Sequence, residues 1–261
     1  MPSFPGKVFL VGAGPGDPEL LTTKAVRLLR SADVVLHDSL VSAEVLALIP
    51  PAAERIDVGK RRGIRLLSQD DINSLLVASA SKHEVVVRLK GGDPLLFGRA
   101  AEEIQALRAA HIEFEVVPGI SAAFGAAAAA GVSLTDRRIA SQVLFTTYSR
   151  SAETRILPFI GVTSETTVIV YMPGVDYSGA ADWLLASGVA ADTPCLVISK
   201  ASQHGQAVCP TKVAKLASLA PLPAPALLIV GRVASQVEAS TSSLSWFLDA
   251  TQETAEGNAI S

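Results

Sequence analysis

The chain has 261 residues, 49% of them hydrophobic, so it is long enough for one large or two compact cores and too apolar for disorder to be the default. A formal net charge of −3 asks for neither nucleic acid nor a membrane surface as partner, which leaves a local arginine cluster as the route to an acidic ligand. Cys195 and Cys209 show no metal-ligand spacing, which argues against zinc and for a reduced, cytoplasmic setting without a metal.

The opening Met1-Pro2-Ser3-Phe4-Pro5-Gly6-Lys7 lacks a basic region followed by a long apolar run, so no signal peptide is expected. A strand is predicted over residues 8–11 and runs into Gly12-Ala13-Gly14-Pro15-Gly16-Asp17-Pro18. Residues 19–32 carry Leu20, Leu21, Val26, Leu28 and Leu29 at near-helical spacing. Strands are predicted at 33–37, closed by Asp38, and at 55–58. Ser68-Gln69-Asp70-Asp71 reads as an acidic N-cap before Ile72, Leu75 and Leu76. A strand at 84–90 enters Gly91-Gly92-Asp93-Pro94, an echo of the first turn, and residues 114–117 form a fifth strand. This alternation argues for a parallel sheet covered by helices, with ligands beyond the C-terminal strand ends, where both turns and Asp38 fall.

A second series begins after Val116-Val117-Pro118-Gly119, which sets the expected division at 1–119, 120–235 and a polar tail 236–261. The Ala-rich run 122–130, interrupted by Phe124 and Gly125, is too short and too weakly apolar for a membrane span and reads as a packed helix. Strands follow at 142–146, 166–171, 195–199 and 226–233. Helices are predicted near 177–187, ended by Gly188, and near 211–219. Pro221-Leu222-Pro223-Ala224-Pro225 reads as a surface connection, and Trp246-Phe247-Leu248 as the docking point of a short helix.

The chemistry concentrates in the two strand-to-bend copies. Their glycines let the backbone bend sharply or approach a ligand, and each Pro fixes φ and withdraws an N–H donor. As a dinucleotide fingerprint G-x-G-x-x-G the first copy fits badly: Asp17 replaces the third glycine, Pro15 and Pro18 delete donors, and the Asp anion repels phosphate. Asp38 favours that reading, standing about twenty residues on, where a ribose-binding acid belongs. A cationic or neutral ligand such as an adenosyl sulfonium suits the loop better.

The ordered motifs resemble the tetrapyrrole methylase family. They comprise Val-Gly-Ala-Gly-Pro-Gly-Asp-Pro-Glu-Leu-Leu-Thr from Val11, Ala-Asp-Val-Val-Leu-His-Asp from Ala32, Val-Gly-Lys-Arg from Val58 and Val-Arg-Leu-Lys-Gly-Gly-Asp-Pro from Val87. Phe97-Gly98-Arg99, Val-Val-Pro-Gly-Ile-Ser from Val116 and Tyr171-Met172 complete the set. The resemblance implies two α/β domains, with a mainly parallel sheet in the first, a mixed sheet in the second and a cleft between them. It further implies S-adenosyl-L-methionine as methyl donor in that cleft, no metal, a homodimer, and a tetrapyrrole substrate. The implied activity is two successive methyl transfers to ring carbons of uroporphyrinogen III, giving precorrin-2. A methyltransferase of later corrin precursors, or a non-catalytic module binding adenosylmethionine or a tetrapyrrole, stands as the alternative.

Carried over residue by residue, the donor contacts fall on Pro15, Gly91, Gly92, Asp93, Ser121, Ala122, Met172, Ala201 and Ala226. The resemblance places substrate binding and proton handling on Arg99, Glu102 and Arg137. Because an arginine pKa lies above about 12, Arg99 and Arg137 are assigned to carboxylate binding and Glu102 to proton transfer. Asp38 is assigned to the pyrrole N–H groups, with a turn-capping Asp as the plain alternative. An ordinary i,i+3 surface ion pair is the plain alternative for Arg99 and Glu102, and simple packing for Met172. Further candidate cations are Lys60, Arg61, Arg62, Arg65 and Arg138, while His37, His83, His111 and His204 show no metal pattern. The chain departs from the family at Ser39, where Arg is common, at Asp136, where His is common, and at Phe145-Thr146-Thr147-Tyr148-Ser149, where Thr-Gly-His is common. These departures put substrate recognition, not methyl transfer, in question.

Overall fold

The structure, a computed structural model, describes residues 6–59, 67–148 and 157–237. Lys60, Arg61, Arg62, Arg65, Trp246-Phe247-Leu248 and residues 238–261 of the expected tail lie outside the described residues.

The first sheet is five-stranded and wholly parallel, in the order β3-β2-β4-β1-β5. Its strands are β1 (Lys7–Gly12), β2 (Val34–His37), β3 (Glu54–Asp57), β4 (Val85–Lys90) and β5 (Phe114–Val117). β1 and β2 read as nearly continuous apolar runs because both faces are covered, whereas β4 adds Arg88 and Lys90 to its valines and leucine. On one face Val11, Val35, Val87, Leu89 and Val117 pack with α1 (Thr23–Arg30) and the short α2 (Ala43–Leu46). On the other, Val8, Leu10, Val34, Leu36 and Val86 pack against Ile72 and Leu76 of α3 (Gln69–Ala80) and Leu107 of α4 (Ala100–Ala109).

The helix expected over 19–32 is split. Asp17 accepts the Glu19 N–H at 2.8 Å and caps a 3-10 turn at Pro18–Leu20, and Thr22 then caps α1 through the Ala25 N–H at 3.1 Å. The cap at Ser68 is a full capping box with Asp71, as its spacing predicts.

The second sheet is mixed, in the order β6-β7-β10-β8-β9, with β6 and β7 parallel and the other neighbours antiparallel. It contains β6 (Gln142–Thr147), β7 (Thr166–Tyr171), β8 (Pro194–Ser199), β9 (Ala207–Lys212) and β10 (Ala226–Val230). The Ala-rich α5 (Ala122–Ala129) covers one face with Ile169, Leu196, Leu227 and Ile229, and α6 (Ser178–Ala186) covers the other with Val168, Val170, Val197 and Leu228.

Two boundaries differ from expectation. The predicted helix near 211–219 is the end of β9 followed by a 3-10 turn at Val213–Ser218. Strand β10 stops at Val230 because Gly231, at φ +140°, turns the chain into a 3-10 turn at Arg232–Gln236. No helix among the described residues is long and apolar enough to cross a membrane.

Candidate active site

Because the first sheet is parallel, the ends of β1, β2, β4 and β5 open onto one edge, and the glycine bends meet there. Gly14 N donates to the Gly92 carbonyl at 3.2 Å and Gly92 N to the Gly14 carbonyl at 2.8 Å, while Ala13 N donates to the Lys90 carbonyl at 2.7 Å. Gly14 and Gly92 adopt φ +67° and +68°. A Cβ on Gly12 would stand 2.6 Å from Gly119 Cα and 2.7 Å from the Gly92 oxygen, so three chain segments pass at backbone contact. The Asp93 carboxylate fastens the junction: Oδ2 accepts the Gly119 N–H at 3.0 Å and Oδ1 the Leu95 N–H at 2.9 Å.

The second sheet offers a matching edge. Tyr171 pairs with Leu227 and Ser199 with Ala226, so Met172, Ala201 and Ala226 gather where β7 and β8 end and β10 begins. Ser121, the N-cap of α5, shares a hydrogen bond with the Tyr171 hydroxyl, which also accepts the Ala123 N–H at 3.3 Å. Burial pushes the pKa of the Tyr171 phenol up. Phe97 packs on the Tyr171 ring with centroids 5.0 Å apart.

The two edges are latched together. Gln203 Nε2 donates to the Pro15 carbonyl at 2.8 Å, and a Cβ on Gly125 would stand 2.8 Å from the Pro15 ring, so only glycine in α5 admits that proline. Gly92 faces the first turn of α5, where an added Cβ would lie 3.6 Å from Ala122 N and 3.8 Å from Ser121 Cα. A small-residue cradle of this kind exposes backbone groups to a ligand and fits an adenosyl donor. Phe97, Arg99, Met172, Lys200 and Ser202, all at these chain ends, have left-handed φ between 49° and 58°. Such a conformation costs about 1 kcal/mol or more per non-glycine residue and is concentrated at functional sites.

The ionisable groups divide. Arg99, N-cap of α4, grips Glu102 through two hydrogen bonds of 2.8 and 2.7 Å, with both side chains substantially exposed. The hydrogen bond from Arg99 holds the Glu102 carboxyl below its ordinary range. Asp38, after β2, receives a hydrogen bond from Arg88, whose guanidinium is buried with Glu103 and Lys90. Sequence reasoning missed those three. The available signal was Arg88 and Lys90 two apart on one face of a central strand, which demands a buried counter-charge.

Arg137 stands apart. It is exposed in a turn closed by the Asp136–Ala140 bridge, where Asp136 accepts from Arg138 at 3.0 and 2.7 Å and from Gln236 at 3.2 Å. Gln236 follows the end of β10 and Ala140 precedes β6, so this turn sits at the end of the second sheet opposite Met172 and Ala201. No cluster of three or more His, Cys, Asp or Glu suited to a metal occurs among the described residues.

The family described as Tetrapyrrole (Corrin/Porphyrin) Methylases matches residues 7–217. A siroheme synthase from Psychrobacter sp. (strain PRwf-1) is 47% identical over 238 residues, covering 89% of this chain and 49% of its own length. A uroporphyrinogen-III C-methyltransferase from Paracoccus denitrificans (strain Pd 1222) is 45% identical over 239 residues, covering 89% of this chain and 83% of its own. Among solved structures, the native uroporphyrin III C-methyl transferase from Thermus thermophilus superposes with a TM-score of 0.78 at 37% identity, covering 88% of this chain and 100% of that one. The same Thermus enzyme complexed with S-adenyl homocysteine gives 0.75 at 37% identity, covering 87% of this chain and 93% of that one. The chain spans about half the length of the siroheme synthases it matches.

Proposed function

The chain belongs to the tetrapyrrole methylase family, and on that premise we propose that it is an S-adenosyl-L-methionine-dependent C-methyltransferase that converts uroporphyrinogen III to precorrin-2 by two successive methyl transfers. The observation that carries this reading is the cradle formed where the reciprocal Gly14–Gly92 pairing faces the first turn of α5. The Thermus relative complexed with S-adenyl homocysteine supports it at the level of ligand class.

In this reading, the methyl donor supplies an electrophilic carbon on a positively charged sulfur. Pro15, Gly91, Gly92, Asp93, Ser121, Ala122, Met172, Ala201 and Ala226 hold it through backbone and small side chains. Arg99 pairs with a substrate carboxylate. That engagement competes with Glu102 for the guanidinium and frees the Glu102 carboxylate to take the proton that the macrocycle releases once the ring carbon is methylated. Asp38, at the end of β2, accepts pyrrole N–H groups. The reading includes a cytoplasmic homodimer with no metal and no nucleic-acid or membrane partner. It divides the chain near residue 119 and has the product feed siroheme or cobalamin synthesis.

Incubation with adenosylmethionine and enzymatically generated uroporphyrinogen III, followed by mass spectrometry, tests it. A double methyl increment is expected. Modification of later intermediates alone would move the substrate assignment, and donor binding without product would reduce the protein to a binding module.

A further inference from the structure

Beneath the second glycine bend lies a charged layer that the reaction as described does not use. Arg88, Lys90 and Glu103 are all almost wholly buried in a stratum otherwise made of Val8, Leu10, Leu36, Leu76 and Leu107. Arg88 spends its whole fork inward: Nε donates to Glu103 Oε1 at 2.9 Å, Nη1 to the Leu89 carbonyl at 3.2 Å, and Nη2 to Asp38 Oδ1. Lys90 Nζ lies 3.0 Å from each Glu103 oxygen. Asp38 is the one member that reaches the cleft, with 29% of its side chain exposed. Around it, His37 Nδ1 contacts the Asp38 carbonyl at 3.2 Å, and Asp57 of β3, opposite His37, accepts the Gly59 N–H at 2.9 Å.

We propose that Arg88 and Glu103 are positioning residues: a buried guanidinium–carboxylate pair that fixes Asp38 at the cleft edge and registers it against the helix that begins with Arg99 and Glu102. The inference rests on the role given to Asp38 above. Stability alone does not explain the cluster, because a buried ion network is often replaceable by apolar residues of similar volume without loss. Orientation does. With every nitrogen of Arg88 engaged, Asp38 Oδ1 is pinned, and Oδ2 has no partner among the described residues. Glu103 stands next to Glu102 in α4, so one rigid helix sets the spacing between the carboxylate-binding arginine and the group addressed to the pyrrole nitrogens.

The test compares kcat, the KM for adenosylmethionine and adenosylhomocysteine affinity in Glu103→Asp, Arg88→Gln and the apolar triple variant Arg88→Met/Lys90→Met/Glu103→Leu. Each is expected to lower kcat about 10-fold to 100-fold, the scale of misplacing a reacting group by about an ångström. Donor KM and adenosylhomocysteine affinity are expected to stay within about twofold, a split that general structural damage does not produce. In an Asp38→Asn background the same substitutions are expected to add almost nothing, since their effect runs through Asp38. Losses that multiply in that background, a parallel fall in adenosylhomocysteine affinity, or full turnover by the folded triple variant would each overturn the inference. Should Arg88→Gln fail to fold, Glu103→Asp, which keeps the charge, and the triple variant decide. Absence of methyl transfer by the unmodified protein sinks the proposed function itself, whereas normal turnover with multiplicative losses sinks only the positioning role.

Discussion

Gly14 and Gly92 hold each other by reciprocal backbone hydrogen bonds of 3.2 and 2.8 Å, although 78 residues separate them in the chain. The two bends are thus halves of a single structure, and damage to one is damage to both. Gly92→Val places a branched side chain at φ +68° and directs it toward Ser121 and Ala122. Adenosylhomocysteine binding by calorimetry is expected to fall by at least about 100-fold, with about 1–3 kcal/mol of stability lost to strain. Gly12→Ala acts differently: its Cβ overlaps Gly119 and the Gly92 oxygen, so thermal stability falls first.

Arg99→Ala separates substrate from donor. Arg99 and Glu102 form an exposed pair, so its removal is expected to change thermal stability by less than about 1 kcal/mol. kcat/KM for the tetrapyrrole is expected to drop about 10-fold to 100-fold, the worth of a charge-assisted hydrogen bond, while adenosylhomocysteine affinity holds. Equal loss of both affinities in Arg99→Ala would remove this division of the site.

Tyr171→Phe deletes the hydroxyl that joins β7 to the start of α5 through Ser121. Denaturant titration is expected to show a loss of about 1–2 kcal/mol, the cost of stranding a buried polar partner. Ser121 and Ala122 border the cradle, so the donor KM is expected to rise. An unchanged donor KM at reduced stability would confine Tyr171 to a structural role.

Lys90 gives a pH signature. Burial first, then the neighbouring Arg88 charge, holds its pKa below the ordinary 10.5, with Glu103 opposing. Between that depressed native value and 10.5 the unfolded chain binds more protons than the native one, so this group makes stability rise with pH across the window. Below the window both states are protonated and the native state carries the full unfavourable contribution. The difference in urea midpoint between the parent protein and Lys90→Met is therefore expected to shift in the parent's favour as pH rises toward 10.5. A pH-independent difference would show that Lys90 is not depressed.

The first sheet was legible because strands buried on both faces announce themselves as β-branched runs such as Val34–His37, and the α3 cap because Ser68 and Asp71 stand at box spacing. Strand β9 was hidden by Pro210, which an edge strand tolerates, and α2 by its four-residue length. The donor-side residues of the site were assigned through motif order alone. Arg88, Lys90 and Glu103 were passed over because a charged residue inside a motif looks like part of the motif, and its partner on α4 is set only by packing. Arg137, grouped with Arg99 by resemblance, lies at the other end of its sheet because the turn that carries it is tied to Gln236.

By itself the sequence determined the local geometry of each bend, the faces of each strand and the family to which the ordered motifs belong, since these depend on neighbouring residues and on periodicity. Tertiary structure alone decided that Gly14 and Gly92 would pair through their backbones, that Gln203 would reach back 188 residues to Pro15, and that Glu103 would anchor Arg88. Periodicity tells a side chain which face to occupy but not which neighbour it finds there. That choice follows from strand order and helix packing, which join residues far apart in the chain.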